Sequence, residues 1–173
     1  MSGLAPLCGL SRRALYHHFS NKEDAFRYML RHDGDRAIRD GMDAGRRHLD
    51  NGGGDVVSIF VEIMDLRYGH NRRVLANSPH AMEINDKAFR LARDIMIDHA
   101  NAFQAQLAGL IVEMNVKGML TLRSDIGPAA LAQMLCDGAR GSNQTLPPIP
   151  VSELPNRYRT ILAAILYGTT QAA

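Results

Sequence analysis

Apolar residues recur at helical spacing along most of the chain. Phe26, Met29, Leu30, Ala37, Ile38, Met42 and Leu49 form one stripe, predicting a helix from Ser20 to about Leu49. Gly34, Gly41 and Gly45 fall inside it and weaken it, predicting a bend. Asn51-Gly52-Gly53-Gly54 ends it. Asp55 can then cap a segment, Val56 to Tyr68, that is apolar nearly all round. Such a segment belongs at the centre of a helical domain; its β-branched residues also suit a strand, but its length and neighbours favour a helix. Arg72 to Asn77 reads as a short helix or turn. Ser78-Pro79 is a start signal, and only Gly109 interrupts the stretch up to Val116, so one helix of up to about 38 residues is expected there. Asp125 to Pro128 starts another helix, predicted to reach about Arg140 and to be broken by Gly141 to Asn143. Leu146-Pro147-Pro148-Ile149-Pro150 is a stiff connector, and a last helix begins at Ser152 or Asn156 and runs through Tyr158, Ile161, Leu162, Ile165 and Leu166. No stretch calls for a strand, and the expectation is an all-α fold.

Composition narrows this only a little. At 173 residues, with 46% hydrophobic and 22% charged, the chain can bury a substantial core. The net charge of +2 does not by itself indicate nucleic acid. The charge is uneven, however: residues 1–31 carry Arg12, Arg13, Lys22, Arg27 and Arg31 against Glu23 and Asp24, a local excess of +3. Cys8 and Cys136 make neither a disulfide framework nor a zinc spacing, which suits a reducing cytoplasm. The N-terminus lacks a secretory signal pattern, and no apolar run reaches the roughly 18 residues of a membrane span.

No catalytic set stands out. There is no H-E-x-x-H, no G-x-S-x-G and no phosphate loop, so neither an enzyme nor a metal or cofactor is expected. Nine methionines are present, and Met64, Met82, Met96, Met114, Met119 and Met134 fall on the helices after Asp55. Methionine adapts to irregular space. With Phe60 and Phe103, these residues are consistent with an apolar pocket, and His99 could line it; core packing accounts for the same residues taken one at a time.

The most specific segment is Cys8-Gly9-Leu10-Ser11-Arg12-Arg13-Ala14-Leu15-Tyr16-His17-His18-Phe19-Ser20-Asn21-Lys22-Glu23. Gly9 suits a tight turn that needs positive φ. Ser11 can cap the following helix. Leu15 and Phe19, four apart, share a face that can enter a core, while Arg12, Arg13, Tyr16 and His17 point elsewhere. Two arginines in a first helical turn oppose the helix dipole, which makes sense where they meet an anion. Ser20-Asn21-Lys22-Glu23 fits a capping box, with Ser20 as cap and Glu23 reaching back.

This segment resembles the recognition half of the helix-turn-helix in the tetracycline-repressor (TetR) family of transcription regulators, over roughly Leu4 to Leu30. The resemblance implies a ligand-responsive, homodimeric repressor that binds a palindromic double-stranded DNA operator. Its head would comprise residues 1–47, with an effector-binding and dimerisation body over 48–173. In this reading Arg12, Arg13 and His18 face bases, Tyr16 and Lys22 contact phosphate, and Ser11 and His17 belong to the same surface. The pocket for a small apolar effector would draw on Phe60, Met64, Met96, His99, Phe103 and Met134. Leu131, Leu135, Ile161, Leu162 and Ile165 would lie in or under a dimer interface made by the last two long helices. The family places another helix ahead of this segment, for which the residues before Gly9 leave no room. Pro6, fourth in a helix capped by Ser2, predicts fraying there. The alternative is therefore a helical dimerisation or effector-binding protein without DNA binding.

Overall fold

The computed structural model describes residues 3–170. It is all-helical: among the described residues the only extended pairing is an isolated antiparallel bridge between Leu122 and Thr170. A small head comprises α1 (Leu4–Leu7) and α2 (Arg12–His18), and α3 (Lys22–Asp50) leads from it into the body. The expected boundary at residue 47 falls in the last turn of α3, so head and body share one helix. The proposed cap Ser2 lies outside the described residues.

α3 is capped by Asn21, not Ser20: the Asp24 N–H donates to Asn21 Oδ1 at 2.8 Å. Asp24, not Glu23, reaches back, accepting from the Ser20 N–H and hydroxyl at 2.9 and 3.0 Å. The box is shifted by one residue because asparagine caps as well as serine, and Asn21 is the residue with extended backbone.

The glycines of α3 do not break it. Gly34, Gly41 and Gly45 are buried and allow close approach to neighbouring helices. A Cβ on Gly34 would stand 2.2 Å from the His99 ring. That ring is itself held by Asp35, with His99 Nε2 3.1 Å from the carboxylate. Gly34→Ala should therefore cost about 1–3 kcal/mol by overpacking. His99→Ala in the same chain should recover part of the loss, a pairing that thermal unfolding of the single and double variants would detect.

Asp55 caps α4 (Val56–Met64), accepting from the Ser58 N–H at 3.0 Å. The helix then continues through a wide π turn, Asp65–Gly69, into α5 (His70–Leu75), so the two predicted segments are one helical run. The long helix expected over 79–116 is two: α6 (Ala81–Leu91) and α7 (Arg93–Val116). They separate at Ala92, whose backbone leaves helical geometry at φ −141°. No proline or glycine marks this break. It is made by α3: Arg27 donates to the freed Leu91 carbonyl and grips the Asp94 carboxylate at 2.9 and 2.5 Å. This hydrogen bonding holds the Asp94 carboxyl down to about 2. A carboxylate whose pKa is lowered by folding lends stability above its ordinary pKa and loses it as pH falls through the lowered value. The junction should thus be intact near neutral pH and release between about pH 4 and pH 2. Amide exchange along α6 should accelerate in that window, and Asp94→Asn should give the fast exchange already at neutral pH.

α8 (Pro128–Asn143) carries through Gly141, because Ser142 and Tyr158 anchor its last turn. Ser142 is fully buried and its hydroxyl donates to the Gly138 carbonyl, while the Tyr158 hydroxyl donates to Asn143 Oδ1 at 3.1 Å. After a short 3-10 turn, Val151–Glu153, α9 (Leu154–Thr169) closes the body. One core joins α3, α4, α7, α8 and α9, centred on Phe60, Ile63, Met64, Phe103, Leu107, Leu131, Leu135, Tyr158 and Leu162. A second, minute cluster in the head consists of Ala5 and Leu15 with Phe19 against them. No helix among the described residues is long and apolar enough to cross a membrane.

Candidate functional site

The head is built by local rules. Gly9 has φ +64°, the turn conformation that glycine adopts most cheaply. The Ala14 N–H donates to Ser11 Oγ at 3.1 Å, so Ser11 caps α2. Leu15 turns inward at 4% exposure. One residue advances roughly 100° around a helix, so Arg12, Arg13, Tyr16 and His17 share roughly 140° of arc. All four are exposed, as is Lys22 at the first turn of α3. None of Arg12, Arg13 and Lys22 joins an ion pair among the described residues. His18 departs from the expectation: at this spacing it falls on the far side of α2, near Ala14 and Leu15, with its ring 6.4 Å from that of Phe19. Arg27 does not belong to the free charge of the head either, since Asp94 neutralises it.

The expected effector pocket is not assembled. Phe60, Met64 and Phe103 are fully buried members of the core, whereas Met96 is 36% exposed on the outside of α7. His99 is occupied with Asp35 and fills the space over Gly34. Met134 is half-buried on α8. The six residues are spread over different surroundings: three fill the core that α3, α4, α7, α8 and α9 share, and the others lie outside it. A groove of about 530 Å³ lies elsewhere, at the far ends of α7 and α9 between Val57, Met119, Leu120 and Tyr167.

Two half-buried polar residues lie beside Phe103 that the sequence did not single out. Arg67 and Tyr68 sit in the π turn, a geometry often found at functional sites. The Arg67 guanidinium lies 4.8 Å from the Tyr68 ring centre and 5.4 Å from that of Phe103. The two rings meet edge to face at 6.0 Å. Arg67 Nε is shut off from solvent without a hydrogen-bond partner, and the equally buried Tyr68 hydroxyl faces the Cys136 thiol. Burial pushes Arg67 below its usual value, Tyr68 up to about 12 and the neighbouring Cys136 thiol up to about 11. The ring faces of Tyr68 and Phe103 offset part of the cost of partly desolvating the Arg67 cation. The one available signal in the sequence was a lone arginine directly after the apolar run from Val56 to Leu66.

The expected dimer-interface residues divide in two. Leu131, Leu135 and Leu162 are fully buried within the single chain and cannot touch a second copy. Ile161 and Ile165 are half-buried and lean over Gly138, where an added Cβ would come within 2.7 and 2.9 Å of them. They are the members of the set that reach the outer face of the α8–α9 pair. Apolar character alone, common to all five, does not distinguish the inner from the outer side of a helix already packed in a core.

Among the described residues no group of three or more His, Cys, Asp or Glu side chains is arranged to hold a metal ion. The chain matches no family model, no curated protein and no solved structure.

Proposed function

We propose that the protein is a DNA-binding transcription regulator, a repressor in the manner of the TetR family that its head segment resembles. The observation that supports this most is the exposed, unpaired surface of Arg12, Arg13, Tyr16 and His17 on a short capped helix, with Lys22 beside it on the next helix start. Arginine forks at the leading end of such a helix suit guanine edges in a major groove, and Lys22 with the α3 amides suits a phosphate. The regulator acts as a homodimer through the outer face of α8 and α9, with Ile161 and Ile165 in the contact and Leu131, Leu135 and Leu162 supporting it from beneath. Two recognition helices about 34–36 Å apart then meet successive major grooves of a palindromic site. An effector in the body shifts that spacing by binding one arrangement more tightly than the other. No catalytic step is part of this reading, and the protein works in the cytoplasm.

A second reading is an effector-binding helical protein without DNA binding. It is favoured by the meagre head core, in which Leu7 and Leu10 are 84% and 41% exposed. Selection from a random pool of duplex DNA separates the two. Enrichment of a palindromic sequence, bound by a species of twice the chain mass in light scattering, supports the regulator. Purely non-specific, salt-sensitive binding by a monomer rejects it.

A further inference from the structure

We infer that the junction of α6 and α7 is a hinge with two states, bent while Arg27 pins it and straight, as one helix from Ala81 to Val116, when Arg27 is withdrawn. The hinge is a property of the chain itself and does not rest on the regulator reading.

The bend is confined to one residue. The helical ladder runs up to the Ala88 carbonyl, which accepts from the Ala92 N–H at 3.0 Å, and resumes at the Ala92 carbonyl, which accepts from the Met96 N–H at 3.0 Å. Ala92, with φ −141° and ψ 28°, stands between the two helices outside helical geometry. The local sequence does not ask for this. Arg90, Leu91, Ala92 and Arg93 are all good helix formers, alanine the best of them. In a continuous helix the Leu91 carbonyl would accept from the Ile95 N–H, four residues on. In the bent state both groups need other partners, and one ion pair supplies them. Arg27 donates to the Leu91 carbonyl, and the Asp94 carboxylate that it grips also lies against the Ile95 N–H. Once Arg27 is withdrawn, the two backbone groups can satisfy each other directly.

α6 is the arm that turns. α7 is fixed in the core by the buried Ile95, Phe103, Leu107 and Met114. α6 buries only Ala88, and its Met82 and Phe89 are 87% and 53% exposed. Its own ion pairs, Glu83–Lys87 and Asp86–Arg90, run along the helix and do not tie it to the body. So little packing opposes the turn that the pin decides the direction of α6. Arg27 belongs to α3, the helix that leads from the head, so the state of the hinge and the hold on α3 change together.

The test is a distance between two spin labels on the full chain. Asn85→Cys on α6 and Gln106→Cys on α7 supply exposed positions in a Cys8→Ser background, and the remaining Cys136 is buried. One continuous helix would put the two backbones about 32 Å apart, at 1.5 Å per residue. With Arg27 and Asp94 intact, the labels should give a single shorter distance. Arg27→Met should move most of the population to about 32 Å and slow exchange of the Ile95 amide. Asp94→Asn keeps the bond from Arg27 to Leu91 and should move a smaller part the same way, so the outcome does not hang on one variant folding. Adding Ala92→Gly to Arg27→Met should lower the long-distance population against the short one by roughly fivefold, the effect of glycine for alanine inside a helix. Four outcomes would each overturn the proposal: a 32 Å distance with the pin intact, no change in Arg27→Met, a broad spread in place of a second narrow distance, or no response to Ala92→Gly.

Discussion

Phe103→Ala should destabilise the protein by about 3–5 kcal/mol, the range for emptying an aromatic site in a packed core. Phe103 is fully buried on α7, beside the π turn and within the shared core, so little of the resulting cavity can be closed by relaxation. The substitution also strips Arg67 of one of its two rings, leaving a cation in a less favourable interior. For a chain of this size each kcal/mol corresponds to about 2–4 °C in Tm. Met96→Ala is the informative companion. Both residues carry the sequence features of a pocket lining, but Met96 is partly exposed on the outer side of α7, and its truncation should change stability by no more than about 0.5 kcal/mol. Denaturant unfolding of the two variants, with unchanged slope, measures the contrast. Equal small losses would mean that Phe103 lines an open space and that the core described above is not the real one.

Arg12→Ala and Arg13→Ala should each weaken operator binding by about 1–3 kcal/mol and relax discrimination at one base position. Neither arginine has a partner in the protein, so the melting temperature should stay within the small range of ordinary surface changes. That separates recognition from folding. Lys22→Ala should weaken matched and scrambled duplexes alike and flatten the salt dependence, because phosphates carry no sequence information. His18→Ala should matter least of the set, since His18 lies on the far side of α2. Binding to the selected operator and to a scrambled one measures all four variants. Equal, sequence-independent losses for Arg12, Arg13 and Lys22 would reject base reading by this helix.

Much of the head is legible without a third dimension. The left-handed turn at Gly9, the Ser11 cap and the inward Leu15 depend on atoms within a few residues of one another, and each sits where the local rule puts it. The same holds for the Asp55 cap and for the all-helical class, which follow from local spacing and capping chemistry. Even the shift of the α3 cap from Ser20 to Asn21 is a competition between two good caps, decided by one residue's backbone.

What the chain alone does not determine is anything set by contacts across distance. The break at Ala92 needs Arg27, which is far away in sequence and arrives on another helix to receive the freed carbonyl. Gly34 reads as a weak point in a helix until His99 is packed against it, when it becomes the reason the two helices can touch. Leu131, Leu135, Ile161, Leu162 and Ile165 are alike as apolar positions of the last two helices, but only the packed body divides them into an interior three and an outward two. Arg67 is the extreme case. As a sequence position it is one more cation after an apolar run; in the folded body its guanidinium lies against the rings of Tyr68 and Phe103, with Nε shut off from solvent and unpartnered. Hydrophobic spacing and capping act over one or two turns and are written in the order of residues, whereas burial and charge pairing depend on which helices meet, and that is decided only when the whole core closes.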